Sequence, residues 1–300
     1  MLERYYSHGK LLISGEYFVL QGAKSLAVPT KLGQSLEFES NDSGKLRWQS
    51  FDYHGNLWFE TELRLPDFEV IHVKNKIHLP FLLTLLKISG QLNSTFVERI
   101  SGRVQNHVEF HLDWGLGSSS TLIHNIAQWA HIDSFCLGKK STSGSLYDLA
   151  VAQFNSPIIY QIIGHQRISE IIEFNPPFLS FLFLIHLNRK QKTNSEIQKF
   201  NQIKVDKKDL NKISEITENI KECRDFKIFN ELLHQHECLL SKILQTETIQ
   251  SRLFSDFKGV IKSLGAWNGD FILASGATDT IEYFKRKGYT TILKFSDLIR

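Results

Sequence analysis

The stretch Gly115-Leu116-Gly117-Ser118-Ser119-Ser120 stands between two opposite periodicities. Before it, Val104, Val108, Phe110 and Leu112 alternate with Gln105, His107, Glu109 and His111, the period of a half-buried strand. After it, Leu122, Ile126 and Trp129 recur at helical spacing. The reading is strand, glycine loop, helix. Glycines let a backbone approach a ligand closely. A helix that begins there offers free N–H groups and the positive end of its dipole, which together make a phosphate cradle. Serine hydroxyls in the loop reach a magnesium ion carried on such phosphates. A tight turn with serine as helix N-cap fits the same residues. Other motifs are excluded. Gly138-Lys139-Lys140-Ser141 does not complete GxxxxGK[ST], Ser120 stands where a dinucleotide fingerprint needs its third glycine, and GxSxG, HRD and DFG are absent.

Outward from the loop, the first half reads as strands and turns. Leu11 to Ile13 is apolar, Leu36 and Phe38 alternate with polar residues, and Arg47–Tyr53 and Leu57–Leu63 flank a His54-Gly55-Asn56 turn. Leu79 to Ile88 has helical spacing. Past Pro176-Pro177, Phe178 to Leu187 reads as a buried strand. Three helices are expected next: one on Ile213, Ile216 and Ile220, one on Phe229 to Ile243, and one on Leu253, Phe257, Val260, Ile261 and Leu264. Strands Phe271–Ala274 and Thr290–Phe295 follow. Strands mixed with helices in this order suggest an α+β fold in two layers, with a domain boundary near Asn175.

The 300 residues carry 35 basic and 32 acidic side chains, a net charge of +3, too even for a nucleic-acid footprint. Three cysteines without a CxxC argue against disulfides and structural zinc. His234 and Cys238 share a helix face with no further ligand nearby, so packing is the expected role for them and for His236. Residues 1–10 lack a signal-peptide core, and the longest apolar run is about half a membrane span. A cytoplasmic protein without a membrane partner is expected.

Ser7-His8-Gly9-Lys10 leads through Leu11-Leu12-Ile13-Ser14 into Gly15-Glu16-Tyr17. This resembles the first motif of the GHMP kinases, the superfamily of galactokinase, homoserine kinase, mevalonate kinase and phosphomevalonate kinase, with His8 in place of the motif's proline. Gly115 to Ser119 is similar to their second motif. Gly265-Ala266-Trp267-Asn268-Gly269-Asp270 stands where their third, glycine-rich motif belongs, with Trp267 and Asn268 replacing glycines. Ser143 to Ala150 resembles the segment that carries the catalytic aspartate, most closely a bacterial Gly-Tyr-Asp-Ile-Ala subgroup, with Leu146 at that glycine. The four occur in family order.

The resemblance implies a two-domain GHMP kinase-like α+β fold, with an N-terminal mixed β/α nucleotide-binding domain over 1–175 and a C-terminal α/β sandwich domain over 176–300, and ATP-dependent phosphorylation of a small acidic alcohol. Lys10 and Asp148 would be catalytic: Lys10 offsets phosphate charge and Asp148 orients or accepts the substrate's hydroxyl proton. Gly115, Leu116, Gly117, Ser118, Ser119 and Ser120 would hold the nucleotide, with Ser119 the magnesium ligand. Glu16 orients Lys10 or holds a loop. Tyr17, Lys24 and Arg189 are the remaining substrate-side candidates, Lys24 or Arg189 meeting a substrate carboxylate. Mevalonate kinase-like chemistry in isoprenoid precursor synthesis is the first expectation. Phosphomevalonate kinase and a catalytically silent nucleotide-binding protein on the same fold are the alternatives.

Overall fold

The computed structural model describes residues 2–188, 200, 202–265, 270–277 and 279–300. In chain order the first strands are β1 (Leu2–Ser14), β2 (Ser25–Ser40), β3 (Lys45–Phe51), β4 (Leu57–Arg64) and β5 (Glu69–Lys74). Helices α1 (Leu79–Leu92) and α2 (Ser94–Arg99), strand β6 (Gly102–Val108) and helices α3 (Ser118–Ala130), α4 (Ser134–Ser141) and α5 (Tyr147–Phe154) follow. Then come β7 (Ile158–Ile163), β8 (Gln166–Ile171), β9 (Leu182–His186), α6 (Lys207–Glu222), α7 (Phe226–Leu244) and α8 (Ile249–Leu253). The last elements are β10 (Val260–Leu264), β11 (Phe271–Ser275), α9 (Thr280–Arg286), β12 (Ile292–Lys294) and α10 (Phe295–Leu298).

The chain divides into two compact units that interleave in sequence. The first takes Met1–Gly9, Leu32–Leu112 and Leu116–Asn155, and the second Lys10–Lys31, Asp113–Gly115 and Ser156–Arg300. The cut expected near Asn175 falls inside the second unit. Ser25 to Ala27 of β2 pair with Tyr160 to Ile158 of β7, which ties an early segment to a late one. Composition along the chain carries no trace of such a long-range pairing.

In the first unit, β3 pairs with β4 antiparallel and with β6 in parallel. Residues Gln34 to Ser40 of β2 flank β6 on its other side, and β5 extends the sheet beyond β4. The β3–β4 turn closes on Asp52, whose backbone accepts from Gly55. Alternation along β6 buries Val104, Asn106 and Val108 and turns Arg103 outward. Helices α1, α3 and α5 bring Leu85, Leu86, Ile126, Trp129 and Leu149 into the same core. Trp129 is fully buried, with ring centroids 4.9 Å from Phe38 and 4.8 Å from Phe96. Such aromatic pairs add about 0.5–1.5 kcal/mol each beyond their area.

The second unit has a four-stranded antiparallel sheet in the order β10-β11-β9-β12. All five residues of β9 and of β11 are buried, as expected of strands covered on both faces. Helices α6 and α7 form on their apolar stripes as the periodicity predicts, and α7 packs on β10. The expected third helix does not exist as one element. Its start is the short α8, and Val260 to Leu264 form β10 instead, after Gly259. The apolar residues there fit both periods. Pairing with β11 selects the strand, and β-branched Val260 and Ile261 suit it.

Candidate functional site

In the first unit, α3 starts at the glycine loop. Gly117 occupies the N-cap in the left-handed region, φ 90°, and no side chain caps the helix. The serine N-cap alternative is therefore not realised. Ser120 turns its hydroxyl back to donate to the Gly117 carbonyl at 2.8 Å, and Thr121 N–H donates to the same oxygen at 3.0 Å. Ser119 is left exposed and Ser118 half-buried at the positive end of a 13-residue helix. This is the chemistry of an anion cradle.

A buried polar chain fixes that helix. Asn125 Nδ2 donates to the Gln34 carbonyl at 2.9 Å, Gln34 Nε2 to Asn106 Oδ1 at 2.8 Å, and Ser7 Oγ to Asn125 Oδ1 at 2.6 Å. Thr121 Oγ1 donates to Gln34 Oε1. His124 Nδ1 contacts Ser7 Oγ at 2.8 Å, and burial holds its pKa down at about 4, so it is neutral near pH 7. Sequence reasoning missed this network, because Gln34 and Asn106 read as ordinary polar strand positions.

Asp148 lies in the first turn of α5, half-buried, with Oδ1 accepting from the Leu149 N–H at 3.0 Å. The preceding N-cap is Leu146 at φ 65°, a conformation that favours glycine. The departure from glycine noted in the sequence thus falls on a position where the backbone still adopts the glycine shape. Helices α3 and α5 pack together within this unit.

In the second unit, Lys10 Nζ donates to the Gly115 carbonyl at 2.8 Å. Gly115 sits at φ +65°, and a Cβ built there would stand 2.5 Å from Asp270 Oδ2. The structure thus brings together Lys10, the first residue of the glycine loop, and the last residue of the third motif. Ala266, Trp267, Asn268 and Gly269 of that motif lie outside the described residues. Trp114, next to Gly115, has its ring 5.6 Å from Phe271.

The candidates of the first motif are held by other protein groups. Glu16 is buried, and Lys262 Nζ donates to its Oε1 at 2.5 Å. Tyr17 is also buried, at φ 61° and 5.2 Å from the Phe200 ring. Lys24 pairs with Glu218 Oε1 at 2.6 Å. Arg189 lies outside the described residues. His236 is buried as expected, its Nε2 accepting the Gly15 N–H at 3.0 Å. His234 and Cys238 do share a face, 3.4 Å apart on the exposed side of α7. Among the described residues no three or more His, Cys, Asp or Glu side chains gather to hold a metal, and no helix is long and apolar enough to cross a membrane.

No family model matches the sequence, and no curated protein shows significant sequence similarity to it. Solved structures match in fold over nearly the whole chain. Streptococcus pneumoniae phosphomevalonate kinase in complex with phosphomevalonate and AMPPNP matches at TM-score 0.71 and 15% identity, covering 98% of this chain and 100% of that one. Methanococcus jannaschii mevalonate kinase matches at 0.67 and 14%, covering 98% and 99%. Lactococcus lactis galactokinase complexed with galactose matches at 0.65 and 12%, covering 100% and 93%. These neighbours are GHMP kinases, and the chain has their fold.

Proposed function

We propose that the protein is an ATP-dependent small-molecule kinase that transfers the γ-phosphoryl group to the hydroxyl of an acidic alcohol, mevalonate before phosphomevalonate. The carrying observation is the start of α3: a left-handed Gly117 at the N-cap, no capping side chain, and Ser119 exposed in the first turn. A terminus built this way favours an anion without further devices. Sharing a fold with mevalonate, phosphomevalonate and galactose kinases supports the choice of a nucleotide phosphate as that anion.

Phosphoryl transfer asks the protein mainly for positioning and for charge stabilisation. In this reading the N–H groups opening α3 bind phosphate oxygens. Lys10, held by the Gly115 carbonyl, offsets charge on the transferred group. Asp148 orients the attacking hydroxyl and takes its proton. Magnesium would enter on the nucleotide, with the Ser119 hydroxyl as its protein ligand, and would supply charge neutralisation. Magnesium habitually keeps water and phosphate ligands rather than sitting in a protein cage, so one protein hydroxyl suffices in this reading.

A second reading is nucleotide binding without turnover on the same fold, because Trp267 and Asn268 stand where the third motif has glycines and a fold does not fix its function. A single experiment separates the readings. Purified protein is assayed with magnesium-ATP against mevalonate, phosphomevalonate, homoserine and galactose, with ATP affinity measured in parallel. Turnover on mevalonate or phosphomevalonate is expected. Turnover on galactose alone keeps the kinase and refutes the acidic alcohol, whereas ATP binding without turnover on any alcohol selects the second reading.

A further inference from the structure

Four ionisable side chains of the second unit meet out of reach of solvent, behind the turn that follows β1. Glu16 comes from the turn, His236 and Glu237 from α7, and Lys262 from β10, and none is more than 2% exposed. Lys262 Nζ lies 2.5 Å from Glu16 Oε1, 4.0 Å from Glu237 Oε1 and 2.9 Å from the Ser263 carbonyl. His236 Nε2 accepts the Gly15 N–H at 3.0 Å and stands 3.3 Å from Glu16 Oε2. We propose that Glu16, Lys262 and Glu237 form a charge-neutral clamp on this turn, the two carboxyl groups holding one proton between them at neutral pH.

The charge count carries the argument. One ammonium faces two carboxyl groups, and an uncompensated charge in a dry interior costs several kcal/mol. His236 does not help. Accepting from Gly15 leaves its ring neutral, and burial, reinforced by Lys262, pushes its pKa well below the ordinary value. A shared proton makes the set neutral. Geometry names the ionised member, because Lys262 is 1.5 Å closer to Glu16 than to Glu237 (4.0 − 2.5). Burial pushes the Glu237 carboxyl up to about 8 against the pull of Lys262, and burial raises Glu16 as well. The remaining ionisable neighbour, Cys238, lies on the exposed side of the same helix, and burial followed by the charge of Glu237 pushes its thiol up.

The clamp has a task. Gly15 at φ +86° and Tyr17 at φ 61° are both left-handed, and a non-glycine residue there is strained. The Gly15 N–H is fixed by His236, and Glu16, just before the strained Tyr17, is fixed by Lys262. These contacts are made within the protein alone, whichever ligand it binds.

The test is folding linkage on the full chain. The unfolded state ionises both glutamates above about pH 4.5, whereas the native state keeps one proton until about pH 8. Stability attributable to the clamp is therefore full below the lower value, falls as pH rises between the two, and is flat above. Urea unfolding of wild type and Glu237→Gln is compared from about pH 6 to 8. The wild-type unfolding constant should rise about tenfold more per pH unit, one proton's worth. Glu16→Gln should remove the same slope, leaving Glu237 as the ion partner. Glu237→Gln should keep the Gly15 amide as protected from exchange as in wild type. Equal slopes in wild type and Glu237→Gln overturn the proposal. So does unfolding that depends on sodium or potassium at constant ionic strength, which would make a metal cation the balancing charge. If the variants do not fold, infrared spectra of wild type decide. A protonated carboxyl band present at neutral pH and lost in base supports the clamp, and its absence refutes it.

Discussion

Replacing Gly115 by alanine separates backbone strain from ligand binding. At φ +65° the new side chain carries a left-handed penalty of about 1–2 kcal/mol, offset by about 0.4–1 kcal/mol from a stiffer unfolded chain. Its Cβ would stand 2.5 Å from Asp270 Oδ2 and 3.0 Å from Asp270 Cγ. The Asp270 backbone is tied down, its carbonyl accepting from Leu187 N–H at 2.8 Å, so the carboxylate must rotate away. An off-rotamer side chain costs about 0.5–1.5 kcal/mol. Gly115→Ala should thus lose about 1–2 kcal/mol in urea unfolding and remain folded. Gly55→Ala is the control, since φ is +80° there and nothing lies within 4 Å of a Cβ. It should lose under about 1 kcal/mol. ATP affinity, followed by the fluorescence of neighbouring Trp114, should fall at least about tenfold in Gly115→Ala only, about 1.4 kcal/mol. Wild-type affinity in Gly115→Ala, with the stability loss in place, would remove the glycine loop from the binding site.

Three further outcomes are expected. In a magnesium-ATP assay Lys10→Met and Asp148→Asn should each lower turnover by about a hundredfold or more, and wild-type rates in both would refute their assigned roles. Trp129→Ala should destabilise the first unit by about 3–5 kcal/mol in urea unfolding, because a fully buried indole leaves a cavity among Phe38, Phe96 and Trp48. The folded-state pKa of His124 is depressed to about 4, so its contribution is intact above about pH 6.5 and disappears as pH falls toward 4. Up to about 3 kcal/mol should go over that window, and His124→Gln should lack this one-proton slope.

Local features were legible where chemistry and chain order coincide. Gly117 reads as a loop glycine because the chain must turn left-handed between strand and helix, and it does so at φ 90°. Leu122, Ile126 and Trp129 predict α3 because one helix face has to be apolar, and Ile126 and Trp129 are fully buried. The error at Leu253–Leu264 has the opposite cause. Five apolar residues fit a helical stripe, but the partner strand that decides between helix and sheet begins at Phe271, beyond the Gly265–Gly269 break.

Lys262 shows most directly what a one-dimensional reading omits. In sequence it is a lysine between Ile261 and Ser263, off the apolar stripe of the helix expected there, where a charged side chain would face solvent. In the fold it is fully buried, because its carboxylate partners arrive from 246 positions upstream (262 − 16) and from α7. Neither Glu16 nor Glu237 has any local reason to be buried. One buried ammonium cannot balance two buried carboxylates, so the excess negative charge needs a further cation, and the proton is the smallest that fits. The first motif thus turns out to do structural work through Glu16 while Lys10, six residues before it, keeps its ammonium on the Gly115 carbonyl. Within this unit the residues split in role: those after Ser14 hold the turn, and Lys10 holds the Gly115 carbonyl. A substitution at Glu16 or Lys262 should therefore change stability and its pH dependence first, and ligand affinity only as far as the strained turn relaxes.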